Sequence, residues 1–216
     1  MPCVIIVQAQ TSIGLRLGVN LATWYSSPKY IMVDDGATLT EPLSLGRAIA
    51  VAVEFKLTDK FAIQSELSYM QKGYTFVSSY NSTEVKVFYQ CNYFELPILF
   101  KTTFGSEKFK IGVLAGPSFN YLNSVLASQT RKSNGNTDSS TREIDLNNSI
   151  FDVNRFDLGL VLGVQPTYHI GERGRIFFDA RYELGFLNVF KDVSNNSVLN
   201  LCLGLSLGYM HTLGEL

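Results

Sequence analysis

The chain is poor in most of what marks a soluble catalyst or a nucleic-acid binder. It has no basic surplus: Lys+Arg 18 against Asp+Glu 19 leave a net charge of −1, which argues against a nucleic-acid partner. Charge of either sign is scarce, 17% of residues against a usual value of about 25%. The cysteines are Cys3, Cys91 and Cys202. Odd in number and far apart, they fit neither a disulfide framework nor a metal site, and Cys202 reads as a small mid-strand filler. The two histidines, His169 and His211, leave little for acid–base work. No ligand spacing for a metal is present, so no metal and no cofactor is expected. No apolar run approaches the roughly 20 residues of a membrane-spanning helix. Gly112 to Gly116 is followed by no Lys-Ser/Thr pair, which excludes a phosphate loop.

What the chain does have is alternation. Leu199, Leu201, Leu203, Leu205 and Leu207 occupy every second position near the end, separated by Asn200, Cys202, Gly204 and Ser206. A strand places all five leucines on one face, whereas a helix would scatter them. Seven earlier stretches repeat the pattern, at about residues 13–25, 48–55, 63–72, 93–101, 111–120, 155–164 and 176–186. Glycine and aromatics are plentiful, with 17 Gly, 15 Phe and 11 Tyr.

The connections alternate in length. Residues 26–44, 73–84, 124–152 and 191–197 read as long and polar, and the third reads as mobile from its composition. Residues 58–60, 105–107 and 171–174 read as tight turns. Long loops on one side and short turns on the other are the pattern of a barrel in an outer membrane, with both termini on the periplasmic side. The expected fold is therefore all-β, an eight-stranded antiparallel up-and-down transmembrane β-barrel over residues 11–216. Residues 1–10, MPCVIIVQAQ, read as the remnant of a secretory signal peptide. The expected location is the cell outer membrane.

The charges set the sidedness. Arg16, Glu54, Glu66, Glu95, Lys101, Arg155, Asp157, Asp179, Arg181 and Glu183 all fall on the small, polar face of their strands. An Arg or Lys facing the bilayer midplane costs up to about 2–4 kcal/mol. The aliphatic face is thus expected to meet lipid, and these ten residues, with Lys72 as a further base, to form a paired network that plugs the lumen. An eight-stranded barrel has an interior that side chains can fill. Tyr25, Tyr69, Tyr93, Tyr168, Tyr182 and Tyr209 fall near strand ends and are candidates for aromatic girdles.

QKGY at Gln71–Tyr74, YFELPILFK at Tyr93–Lys101, GVLAGPSFNYL at Gly112–Leu122 and RFDLGLVLGVQ at Arg155–Gln165 resemble the PorT-type outer-membrane β-barrel proteins of Bacteroidetes. The resemblance covers about residues 11–213. It implies an eight-stranded outer-membrane barrel, and its founding member is linked to type IX secretion. In one respect the chain departs from the pattern. Outer-membrane strands often end on an aromatic residue, while this chain runs past Tyr209 to Leu216, which displaces the signal read by the barrel-assembly machinery.

The expected role is structural or interactive rather than enzymatic. The expected partners are outer-membrane lipid, the barrel-assembly machinery and an unidentified protein met through the outer loops or the periplasmic rim. The alternatives are a narrow transport barrel, a lipocalin-like barrel with its aliphatic face turned inward around a small ligand, and a lipid hydrolase. The last lacks a catalytic set, because His169 and His211 both fall at the periplasmic end without an evident nucleophile.

Overall fold

In a computed structural model, residues 10–27, 38–146, 153–191 and 197–214 are described. Residues 1–9, with Cys3, residues 28–37, 147–152 and 192–196 of three long loops, and residues 215–216 lie outside them. Among the described residues every element is a strand: β1 (Gln10–Ser27), β2 (Thr38–Thr40), β3 (Ser44–Lys56), β4 (Phe61–Tyr80), β5 (Thr83–Gly105), β6 (Phe109–Ser133), β7 (Asn136–Glu143), β8 (Phe156–Ile170), β9 (Gly174–Gly185) and β10 (Ser197–Leu213). Gln10, expected in the signal remnant, opens β1.

Eight of these strands form a closed antiparallel ring in the order β1, β3, β4, β5, β6, β8, β9, β10. Chain neighbours pair throughout. The ring closes where β1 meets β10, from Thr11 opposite Leu213 to Ser27 opposite Ser197. Closure leaves no unpaired wall edge, so backbone groups are satisfied without water. The termini and the turns at 57–60, 106–108 and 171–173 lie at one end, and the longer connections at the other.

The alternation sorts side chains as the charges require. Leu15, Leu17, Leu67, Phe100, Leu162 and Leu207 point outward and are 49–67% exposed, forming an apolar belt. Arg16, Glu66, Lys101, Asp179 and Glu183 point inward and are buried. This is the reverse of a lipocalin-like barrel. Small residues on the inner face make room for these long side chains. A Cβ on Gly185 would stand 2.5 Å from Asp157 Oδ2, and one on Gly208 would run into the Phe177 ring. Of the girdle candidates, Tyr25, Tyr168, Tyr182 and Tyr209 face outward, while Tyr93 turns into the lumen and is 1% exposed.

Two of the expected long loops are largely strand. Residues 73–84 continue β4 and β5 to a two-residue turn, with Tyr80 opposite Thr83 and Asn81 at φ 50. Residues 124–143 form a hairpin of β6 and β7. Asn134 and Gly135 turn it with φ of 49 and 81, the paired positive values of a type I′ turn. The expectation of a mobile 124–152 loop is corrected over this hairpin. Its polar composition masked an Asn-Gly turn signal, since both faces of β7 are wet and leave no hydrophobic alternation to read. With β2 paired to β4, the strands β2, β4, β5, β6 and β7 continue the wall as a sheet beyond the apolar belt.

Candidate functional site

The lumen is a stack of buried ionic clusters, each built from inward positions of several strands. At its centre, β1 contributes Arg16, β4 contributes Glu66, and β9 contributes Asp179 and Arg181. Glu66 Oε2 accepts from Arg16 Nε at 3.0 Å and Arg181 Nη1 at 3.0 Å. Its Oε1 accepts from Arg181 Nη2 at 2.6 Å and Gln64 Nε2 at 2.7 Å. Asp179 holds the other flank of Arg181, with Oδ1 2.6 Å from Nε. Arg16 Nη1 donates onward to Ser206 Oγ at 2.9 Å. Two guanidinium groups thus meet two carboxylates, the planar match that Arg favours.

Toward the loop end, Lys72 of β4 stands between two carboxylates. Its Nζ lies 2.5 Å from Glu95 Oε1 of β5 and 3.0 Å from Glu183 Oε2 of β9. The same ammonium sits 5.3 Å from the Tyr93 ring centroid, a cation–π contact. Glu183 Oε1 also accepts from Ser118 Oγ and Asn120 Nδ2, each at 2.8 Å.

Toward the termini, Glu54 of β3 bridges two cations: Lys101 Nζ at 2.8 Å and Arg175 Nη2 at 2.7 Å. Two fully buried amides join this cluster to the central one. Gln165 accepts from Lys101 and donates to Asp179 Oδ2 at 2.9 Å. Gln64 lies between Lys101 and Glu66.

Two expected members of the network sit elsewhere. Asp157 is buried on neutral donors, accepting from Asn200 Nδ2 at 2.9 Å and the Leu187 amide at 3.2 Å. Arg155 is half-buried at the loop-end rim, with Nη1 3.3 Å from the Tyr121 hydroxyl. Arg175 and Gln165 were not picked out from the sequence. Arg175 shares the parity of Asp179 and Arg181, so one more residue on strand β9 would have included it.

Apolar side chains fill the space between the clusters. Leu99, Leu114 and Val161 form one group, and Ala52, Phe177 and Met210 another. Above the Lys72 cluster, Trp24 stacks on Tyr74 with ring centroids 4.9 Å apart and meets Phe190 edge-on at 5.3 Å. Trp24 and Phe190 pack over Cys91, Tyr93, Leu122 and Val125. One cavity, of about 630 Å³, opens at the loop end beside Arg155, Phe156, Leu187 and Lys191. A smaller one of about 120 Å³ opens at the termini end beside Lys56, Lys110, His169 and Arg175. Glu54, Lys101 and Arg175 border the smaller cavity, and the central and Lys72 clusters lie between the two.

His169 and His211 both lie at the termini end, opposite Arg175 and Gly174 of β9. Among the described residues no group of three His, Cys, Asp or Glu side chains is arranged to hold a metal ion.

Residues 8–191 match the family model described as outer membrane protein beta-barrel domain. No curated protein matches the chain. Among solved structures, the chain is similar to Ail, the attachment invasion locus protein of Yersinia pestis, at 10% identity and TM-score 0.41, covering 92% of this chain and 97% of Ail. Neisserial surface protein A is similar at 15% identity and TM-score 0.41, covering 92% and 96%. The outer membrane protein OprG of Pseudomonas aeruginosa is similar at 11% identity and TM-score 0.48, covering 96% and 98%.

Proposed function

This chain belongs to the outer membrane protein beta-barrel domain family and is an outer-membrane protein, and we propose that it works as a sealed anchor. The barrel fixes the chain in the membrane without conducting, and the sheet beyond the apolar belt carries the interaction. The observation behind this reading is the series of buried clusters, Glu54–Lys101–Arg175, Glu66–Arg16–Arg181–Asp179 and Glu95–Lys72–Glu183, stacked along the lumen from the termini-end cavity toward the loop end. An ion crossing the lumen would have to displace charges that are already paired in a medium where unpaired charge is costly.

On this reading outer-membrane lipid surrounds the belt, the barrel-assembly machinery inserts the chain, and a protein partner meets the outer sheet. A secretion-related partner is one form that partner could take, on the strength of the motifs shared with PorT-type proteins. No enzymatic step is assigned. A second reading, small-ligand binding, is favoured only by the loop-end cavity with its Arg155 and Lys191.

Single-channel recording in planar bilayers tests the sealed lumen. The refolded protein is expected to leave the baseline current flat. Reproducible open steps would overturn the anchor reading and favour transport.

A further inference from the structure

Among the described residues, β7 pairs on one side only, with β6. All eight of its residues are exposed. It has no proline and no bulge against β6. Such an edge presents alternate amides and carbonyls outward and is a template for another strand. The outer sheet's other edge strand, β2, is only three residues long, so β7 is the longer backbone edge that the sheet offers.

The sequence of β7 selects its partner. Written Asn-Thr-Asp-Ser-Ser-Thr-Arg-Glu, it is complementary to itself when run antiparallel about Ser140. In that register Asp138 of one copy faces Arg142 of the other, twice over. Ser139 faces Thr141, and Ser140 faces its own counterpart. Sliding by one residue sets Asp138 against either Glu143 or Thr141 and loses the pairing. Directly opposite charges on adjacent strands attract, and like charges repel. Within the chain, Asp138 already lies opposite Arg131 of β6, so docking would lengthen a row of alternating sign.

Symmetry then fixes how the copies sit. Identical antiparallel strands are related by a twofold axis perpendicular to the sheet, which makes the contact isologous. β6 runs unbroken from the barrel wall to this edge, so the edge inherits the tilt of the wall. The twofold axis reverses that direction and points the second barrel the opposite way. Two copies in one membrane cannot meet so. Copies in two facing membranes can.

We infer that β7 is the docking edge for a second copy of this chain held in an apposed outer membrane. The inference rests on the anchor reading and names its partner. One such contact is small and exposed, so adhesion would come from many copies acting together.

The test uses the full chain in two populations of phosphatidylcholine vesicles carrying different dyes, with coincidence of the dyes as the readout. Wild-type vesicles are expected to cluster, and empty ones not. D138R vesicles are expected to cluster among themselves about tenfold less, because two attractive pairs become repulsive. R142D vesicles should behave alike. Mixing D138R with R142D vesicles restores opposite charge at both pairs and is expected to restore clustering, which a misfolded hairpin could not do. The inference is overturned if wild-type vesicles stay apart, if either variant clusters with itself as well as wild type, or if the mixture fails to recover. Heat-shifted gel mobility of each preparation reports the barrel separately. A folded, non-conducting protein that does not cluster would leave the anchor reading standing and remove this one.

Discussion

Replacing Glu66 with Gln removes one carboxylate from a cluster in which it satisfies two guanidinium groups. Glu66 is 2% exposed, and Arg16 and Arg181 are 3% and 8% exposed, so water cannot substitute for the lost charge. Asp179 would then hold Arg181, and Arg16 would keep the neutral Ser206 hydroxyl in place of a carboxylate. The new amide nitrogen would also point a donor at a donor. Breaking a buried pair by removing one partner costs about 3–5 kcal/mol. With an m-value of about 2 kcal/mol/M, the urea midpoint should fall by about 1.5–2.5 M. Trp24 is the single tryptophan and packs on Tyr74 and Phe190, so its fluorescence in lipid vesicles follows unfolding directly. Arg155→Ala, at the half-buried rim, serves as a comparison and should move the midpoint far less. A change below about 1 kcal/mol for Glu66→Gln would refute the reasoning, because it would mean that water already reaches the cluster and screens it.

Two further outcomes are expected. Leu203→Arg puts a cation on an outward position that is 46% exposed, at a cost of about 2–4 kcal/mol near the midplane; insertion yield, read as the heat-shifted band, should drop sharply, while Gly204→Ala, where an added Cβ meets nothing within 4 Å, should insert normally. Gly135→Ala places a side chain at φ 81 and should cost about 1–2 kcal/mol; hydrogen exchange should quicken over the β6–β7 hairpin and stay unchanged in the barrel wall.

How much of this was legible in the chain differs from element to element. The face of each wall strand could be read residue by residue, because Leu199 to Leu207 or Ile176 to Phe186 carry the record of their solvent in alternate positions. The lumen membership of Glu66, Glu95, Lys101, Asp179 and Arg181 followed from the same parity. The β6–β7 hairpin was not legible, since Ser, Thr and Asn on both faces of β7 record no difference between its two sides. Asn200 reads in the sequence as one of the residues that separate the leucines. Its amide in fact lies on Asp157 Oδ2 at 2.9 Å and near the Tyr93 hydroxyl at 3.3 Å, contacts that join residues far apart in the chain.

Sequence alone therefore determined the eight wall strands, their inward and outward faces, and the membrane as solvent, because side-chain direction along a strand repeats every two residues and needs no partner to define it. Tertiary structure alone decided which charges meet. That Lys72 serves both Glu95 and Glu183, that Arg175 reaches Glu54, and that Arg155 stands at the rim depend on the stagger of one strand against the next around the closed ring. That stagger is a sum of eight registers, and no single strand carries it.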